Sequence, residues 1–181
     1  MGKQNFSVLM CVCDDDDKRN FQIALESITL HQILKPNEVI LVFDGSVDPS
    51  LTRIAEDVFN KTSIDNSIIR NENRRGLAYS LNKGLKYCNF NWVARMDADD
   101  VSMPERFSKQ IRYLTNNPSI AVLGSAIMEF DNSGLERNKK AICKSNSILK
   151  TLKFRNPMNH PSCVINKEKV LSVGGYPMLE K

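Results

Sequence analysis

Three carboxylates, Asp97, Asp99 and Asp100, follow directly on the apolar run Trp92–Met96. A short buried strand that delivers acids to its C-terminal tip is the usual layout of an α/β ligand site. Acids this close repel one another and stay ionised together at low cost only when solvated or when they share a cation. Oxygen ligands of this kind suit Mg²⁺ or Mn²⁺. A solvated acidic turn explains the same residues, so both readings stand at this point. Other polar groups also follow apolar runs: Asp14 after Ser7–Cys13, Asp44 after Glu38–Phe43, and the turn Arg70 to Arg75 after Ser67–Arg70. Four such tips meet on one edge if the strands are parallel, and that convergence outweighs any single motif.

The intervening segments have the length and periodicity to make the strands parallel. Phe21, Leu25 and Ile28 recur at helical spacing within 19–34, and Pro36 marks the stop. The acids Asp14 to Asp17 favour the N-terminus of that helix. Leu51, Ile54, Ala55, Val58 and Phe59 mark a second amphipathic helix, and Leu77, Leu81, Leu85 and Cys88 a third. Ser102 and Glu105 have capping-box spacing before a fourth helix that buries Phe107, Ile111 and Leu114. One longer strand is expected over 121–130, closed by a turn at 131–134. A short helix over 147–154 and a last strand over 162–165 complete the reading. The alternation predicts a mostly parallel, doubly wound α/β sheet with helices on both faces.

Of the 181 residues, 41% are hydrophobic and 25% charged, as in ordinary globular domains, so a single domain over 1–181 is expected. The net charge of +4 is too mild to indicate nucleic acid, and no basic run is interleaved with aromatics. It is compatible with anionic substrates or an anionic membrane surface. Five cysteines without a CxxC, and only two histidines (His31 and His160), argue against zinc and for reduced thiols in a cytoplasmic protein. No segment approaches the roughly 18 apolar residues of a membrane span. Glycine-rich dinucleotide and P-loop signatures are missing, and so is a Gly-x-Ser-x-Gly elbow.

Several blocks, in order, resemble the family 2 glycosyltransferases, inverting enzymes with the GT-A nucleotide-sugar fold. They are Ser7–Cys13, Ala24–Ile28, Lys35–Gly45, Asn73–Gly84, Ala94–Asp100, Asn156–Pro161 and Gly174–Tyr176. The nearest in character are bacterial enzymes of exopolysaccharide or O-antigen synthesis. The resemblance implies a donor-binding half over 1–100 and the start of an acceptor half over 101–181. It implies that Asp44 binds the uracil or ribose of the nucleotide and that Arg75 contacts the nucleotide. Asp97 and Asp99 match the DxD motif, with Asp97 toward the ribose and Asp99 toward a metal, Mn²⁺ or Mg²⁺, held by the diphosphate. His160 falls on the acceptor side. The implied donor is a UDP-sugar and the acceptor a saccharide or a lipid-linked sugar, which leaves room for peripheral association with the inner face of a membrane.

Two departures stand out. Phe43 replaces the first acid of the usual Asp-Asp-Gly-Ser block, and no Glu-Asp pair follows Gly174-Gly175-Tyr176 at the family's spacing, Glu180 coming too early. In the family that pair supplies the general base. The chain is therefore expected to be an N-terminal piece with the donor half-site and without the base, which would lie beyond Lys181. Two other readings compete: a nucleotide-diphosphate-binding module without transfer, and a haloacid-dehalogenase-type phosphatase with Asp97 as nucleophile and Asp99 as acid–base. The latter normally places its motif on the first strand, whereas here three strands precede it.

Overall fold

The computed structural model describes residues 5–130, 136–139 and 145–178. Four strands alternate with helices. They run β1 (Phe6–Val12), α1 (Lys18–Thr29), β2 (Glu38–Phe43), α2 (Pro49–Phe59), β3 (Asp65–Arg70), α3 (Leu77–Tyr87) and β4 (Trp92–Met96). Then come α4 (Arg106–Asn116), β5 (Val122–Leu123), β6 (Ile127–Phe130), β7 (Glu136–Lys139), α5 (Ser145–Leu152), a single 3₁₀ turn (His160–Ser162), β8 (Val164–Asn166) and α6 (Lys167–Ser172). The main sheet has the order β3-β2-β1-β4-β8-β5. Its first four strands are parallel and the last two join antiparallel. This is the expected α/β architecture, with all four polar strand tips on one edge.

The hydrophobic runs explain the layering. β1 and β2 are buried on both faces, as a continuous apolar strand requires. One core layer joins Val8, Met10 and Val39 to Phe21, Leu25, Leu51, Val58, Phe107 and Leu114, and so holds α1, α2 and α4 on one face. On the other face Leu9, Val42 and Val93 meet Leu81 and Leu85 of α3, together with Cys163 and Ile165. Full burial of each such aliphatic or aromatic side chain contributes about 1.5–3 kcal/mol. Gly84 lets α3 approach closely, because a Cβ there would overlap the methyls of Leu9 and Val42. At the far end of the sheet, buried Glu38 accepts hydrogen bonds from Ser7 Oγ, Asn89 N and Asn89 Nδ2, a fully satisfied structural acid.

Several elements differ from the sequence reading, each for a tertiary reason. The first helix stops at Thr29 instead of reaching residue 34. Beyond it Gln32 turns inward, and its Nε2 donates to Ser27 O, Ser102 Oγ and Met103 O, while Ile33 N donates to Pro104 O. The same network removes the capping box. Ser102 Oγ serves Gln32, Ser102 N donates to Ser27 Oγ, and Glu105 pairs with Lys109 within a helix that begins at Arg106. The single strand expected over 121–130 is two strands in two sheets. The chain leaves the main sheet after Leu123, where Ser125 N donates to Ser162 Oγ, and β6 pairs with β7 in a separate ribbon. That ribbon's second strand, β7, lies between the elements expected from the sequence. The helix expected over 147–154 is α5, two residues earlier, and the last strand lies at 164–166. The helix role of the N-terminal acids holds for Asp17, whose Oδ1 accepts from Arg19 N and Asn20 N. The turn expected at 131–134, Cys143 and Glu180 lie outside the described residues.

Candidate active site

Asp44, one residue past β2, is 4% exposed and fully engaged. Its Oδ1 accepts from Asn71 Nδ2 (2.8 Å) and from Arg75 N (2.9 Å), and its Oδ2 from Gly76 N (2.8 Å). Burial pushes the carboxyl up, but these donors and Ser80 more than offset it and hold it below its ordinary value. The sequence builds this clamp with two glycines at positive φ. Gly76 (φ 87°) directs its N–H to Asp44 and opens α3. Gly45 (φ 93°) lets the turn lie across it, since a Cβ there would stand 2.8 Å from Arg74 N. Asp44 is thus the organiser of the turn after β3.

That turn borders a polar recess of about 350 Å³ lined by Arg70, Asn71, Glu72, Asn73, Arg75, Tyr79 and Lys83. The Arg75 guanidinium lies 4.5 Å over the Tyr79 ring, and Arg70 lies 4.8 Å over the Phe43 ring. Phe43 itself is buried in the core, so its side chain is not open to a ligand. Lys83 Nζ donates to Arg70 O and Asn71 Oδ1. Across the edge, Arg74 Nη1 pairs with Asp15 Oδ2 at 2.7 Å and so ties the loop after β1 to the turn after β3.

At the tip of β4 the carboxylates of Asp97, Asp99 and Asp100 bring one oxygen each within 4.8 Å of the others. Burial and the charges of Asp97 and Asp99 raise Asp100 above the ordinary carboxylate value. Burial and the same two acids also contribute to the raised value of Asp16, which places the loop after β1 in the same field. Only oxygen donors converge in this cluster, and such a set suits a hard divalent cation. Arg95, at 2% exposure, ion-pairs through Nη2 with Asp97 Oδ1. Its Nε and Nη1 have no hydrogen-bond partner among the described residues.

His160 lies within electrostatic reach of Arg95 and Asp97. Its Nε2 is 3.1 Å from Tyr176 Oη, and burial, helped by Arg95, lowers its pKa. Asn82 fixes this arm: its Nδ2 donates to Tyr176 O and its Oδ1 accepts from Tyr176 N. Gly175, at φ 77°, is required there because a Cβ would collide with Asn82 Oδ1. The structure therefore brings Asp97 against Arg95 with Asp99 beside it and His160 within reach of the same charges, and sets Asp44 and Arg75 along the neighbouring strand tips. Sequence reasoning missed Arg95, Asp16 and the pairing of Asn82 with Tyr176. A charged residue inside an otherwise apolar strand was the available signal for the first.

The model for the family described as "Glycosyl transferase family 2" matches residues 7–175. The amylovoran biosynthesis glycosyltransferase AmsE of Erwinia amylovora is 40% identical over 171 residues, 94% of this chain and 63% of that protein. An Escherichia coli UDP-Gal:alpha-D-GlcNAc-diphosphoundecaprenol beta-1,3-galactosyltransferase is 34% identical over 172 residues, again 94% of this chain and 62% of that protein. The chain thus spans less than two thirds of the length of these relatives. Among solved structures, S. aureus TarS with UDP-GlcNAc superposes with a TM-score of 0.70 at 18% identity, over 96% of this chain and 48% of that one. The mannosyltransferase PcManGT of Pyrobaculum calidifontis, with GDP-Man and Mn²⁺, gives 0.67 at 16% identity, over 97% and 48%.

Proposed function

The chain belongs to glycosyl transferase family 2 and has the GT-A fold, and from that premise we propose that it carries the donor-binding half of an enzyme that moves a sugar from a nucleoside diphosphate to a hydroxyl acceptor. The observation that supports this most is the shared edge. The Asp44-organised turn, the Arg75 recess and the Asp97–Asp100 acids stand on the tips of adjacent parallel strands. The turn and recess, with Arg75, receive the nucleotide, and Asp97 faces its ribose. Asp97 and Asp99, with Asp100 beside them, would hold Mn²⁺ or Mg²⁺. Such an ion, when bound, stabilises the negative charge that grows on the departing diphosphate. Arg95 keeps Asp97 in one orientation. His160 and Tyr176 border the acceptor side. Residues 1–100 form the donor half and 101–181 begin the acceptor half. No residue of the chain is assigned as the general base. The family match leaves the phosphatase reading of Asp97 and Asp99 without support.

The relatives' names support a UDP-sugar donor and a lipid-linked or saccharide acceptor, and the mannosyltransferase complex supports a divalent metal, Mn²⁺ or Mg²⁺. No helix among the described residues is long and apolar enough to cross a membrane. The test is calorimetric titration of UDP, GDP and dTDP, with Mn²⁺ and with EDTA, on the wild type and Asp99→Ala. Metal-dependent binding of one nucleotide, lost in the variant, is the expected result. Binding that ignores both EDTA and the substitution would overturn the metal assignment. Binding without transfer to any acceptor would leave the module reading in place.

A further inference from the structure

Charge is distributed very unevenly along this chain. Eight of its 25 cations fall between Arg137 and Lys167, a stretch with no Asp or Glu. The other 17 cations therefore face all 21 acids elsewhere. The segment from α5 to Arg155 combines this charge with uncovered apolar side chains. Leu149, Leu152 and Phe154 are 63%, 52% and 89% exposed. Ile148 and Thr151, by contrast, are half-buried and mark the inner side of the helix. Phe154 N and Arg155 N both donate to Thr151 O, so the helical turn continues past Leu152. Leu149 and Leu152, three residues apart, share a face. Lys150, Lys153 and Arg155 are exposed and alternate with the apolar residues.

We infer that the segment 149–155 docks onto an anionic lipid surface. Exposed aliphatic and aromatic side chains flanked by cations are what an interfacial helix presents, with the apolar groups entering the headgroup boundary and the cations meeting lipid phosphates. Nucleic acid would be served by the cations but gains nothing from Leu149 and Leu152. A second copy of this segment would set like charges against each other. The position gives the contact a purpose. Arg155 is five residues from His160, at most about 18 Å of chain, so the docked face adjoins the acceptor side of the site. That purpose rests on the transferase reading above, while the surface itself rests on charge and exposure alone.

The test is co-sedimentation of the purified chain with phosphatidylcholine vesicles and with phosphatidylcholine–phosphatidylglycerol vesicles, at low and high salt. Binding to the anionic vesicles, weakened by salt, is expected. The triple change Lys150→Gln/Lys153→Gln/Arg155→Gln should weaken it roughly a hundredfold, from about a fivefold factor per surface cation. Leu152→Ser/Phe154→Ser should remove the part that survives high salt. Equal partition into neutral vesicles, no binding at all, or binding untouched by both variants overturns the inference. So does self-association that the Leu152/Phe154 variant abolishes. The UDP titration is run on the same samples. Intact nucleotide binding without vesicle binding refutes this surface alone, and the converse refutes the donor-site reading alone.

Discussion

Replacing Asp44 by Asn tests whether this carboxylate organises the donor edge. The wild-type group accepts three hydrogen bonds of 2.8–2.9 Å from Asn71 Nδ2, Arg75 N and Gly76 N. An asparagine oxygen can keep the first two as neutral bonds, each about 1 kcal/mol weaker than the charged ones. Its amide then points N–H groups at Gly76 N–H and leaves a buried donor unsatisfied, for about 1–3 kcal/mol more. The sum is about 3–5 kcal/mol, a large part of the roughly 5–15 kcal/mol that holds a domain together. Urea unfolding at neutral pH should show that loss as a lower midpoint with an unchanged slope.

The acid side of the same experiment has a definite sign. The folded-state pKa of Asp44 is lowered, so its contribution is complete above the unfolded carboxylate value of about 3.9 and disappears as pH falls through the folded value. The gap between wild type and Asp44→Asn should be constant at neutral pH and narrow on acidification below about pH 4. A stability difference under about 0.5 kcal/mol, or a gap that persists in acid, would refute the clamp.

Two further predictions concern the packing beneath the site and the arm beside it. Gly84→Ala forces a methyl against Leu9 and Val42, so overpacking should cost about 1–3 kcal/mol and lower Tm by about 3–10 °C, read by calorimetry. His160, held below its ordinary value by burial and Arg95, binds fewer protons than the unfolded chain between its folded pKa and about 6.5. Stability should therefore rise with pH through that window and level off above it, and His160→Gln should remove that slope in denaturation curves collected across the range.

The parallel half of the fold was legible because each strand is a short apolar run and each helix repeats its apolar residues at 3.6 spacing. β2 and β4 fall where the patterns placed them, and all four polar tips reach one edge. The second half was harder. β5 and β8 are two and three residues long, too short for periodicity, and their places depend on pairing with β4. The break at 124–126 follows from a hydrogen bond to Ser162, far away in sequence. Gln32 shows the same limit: it ends one helix and disarms the cap of another through contacts about seventy residues away.

Within the site, types were readable and partners were not. Asp44, Asp97 and Asp99 were visible as acids at strand ends, but residue types alone do not reveal that Asp44 spends its oxygens on the next turn while Asp97 faces a buried arginine. That difference has a physical consequence. A carboxylate saturated by backbone N–H groups shapes the pocket and has little capacity left for a ligand. Asp99, exposed and without a hydrogen-bond donor among the described residues, keeps its oxygens free. Asp97 stands between the two, because Arg95 occupies one oxygen and offsets one of the three negative charges. Asp99 and Asp100 stay close to it, with Asp100 raised by burial and by its two neighbours, and a shared divalent cation would relieve that repulsion.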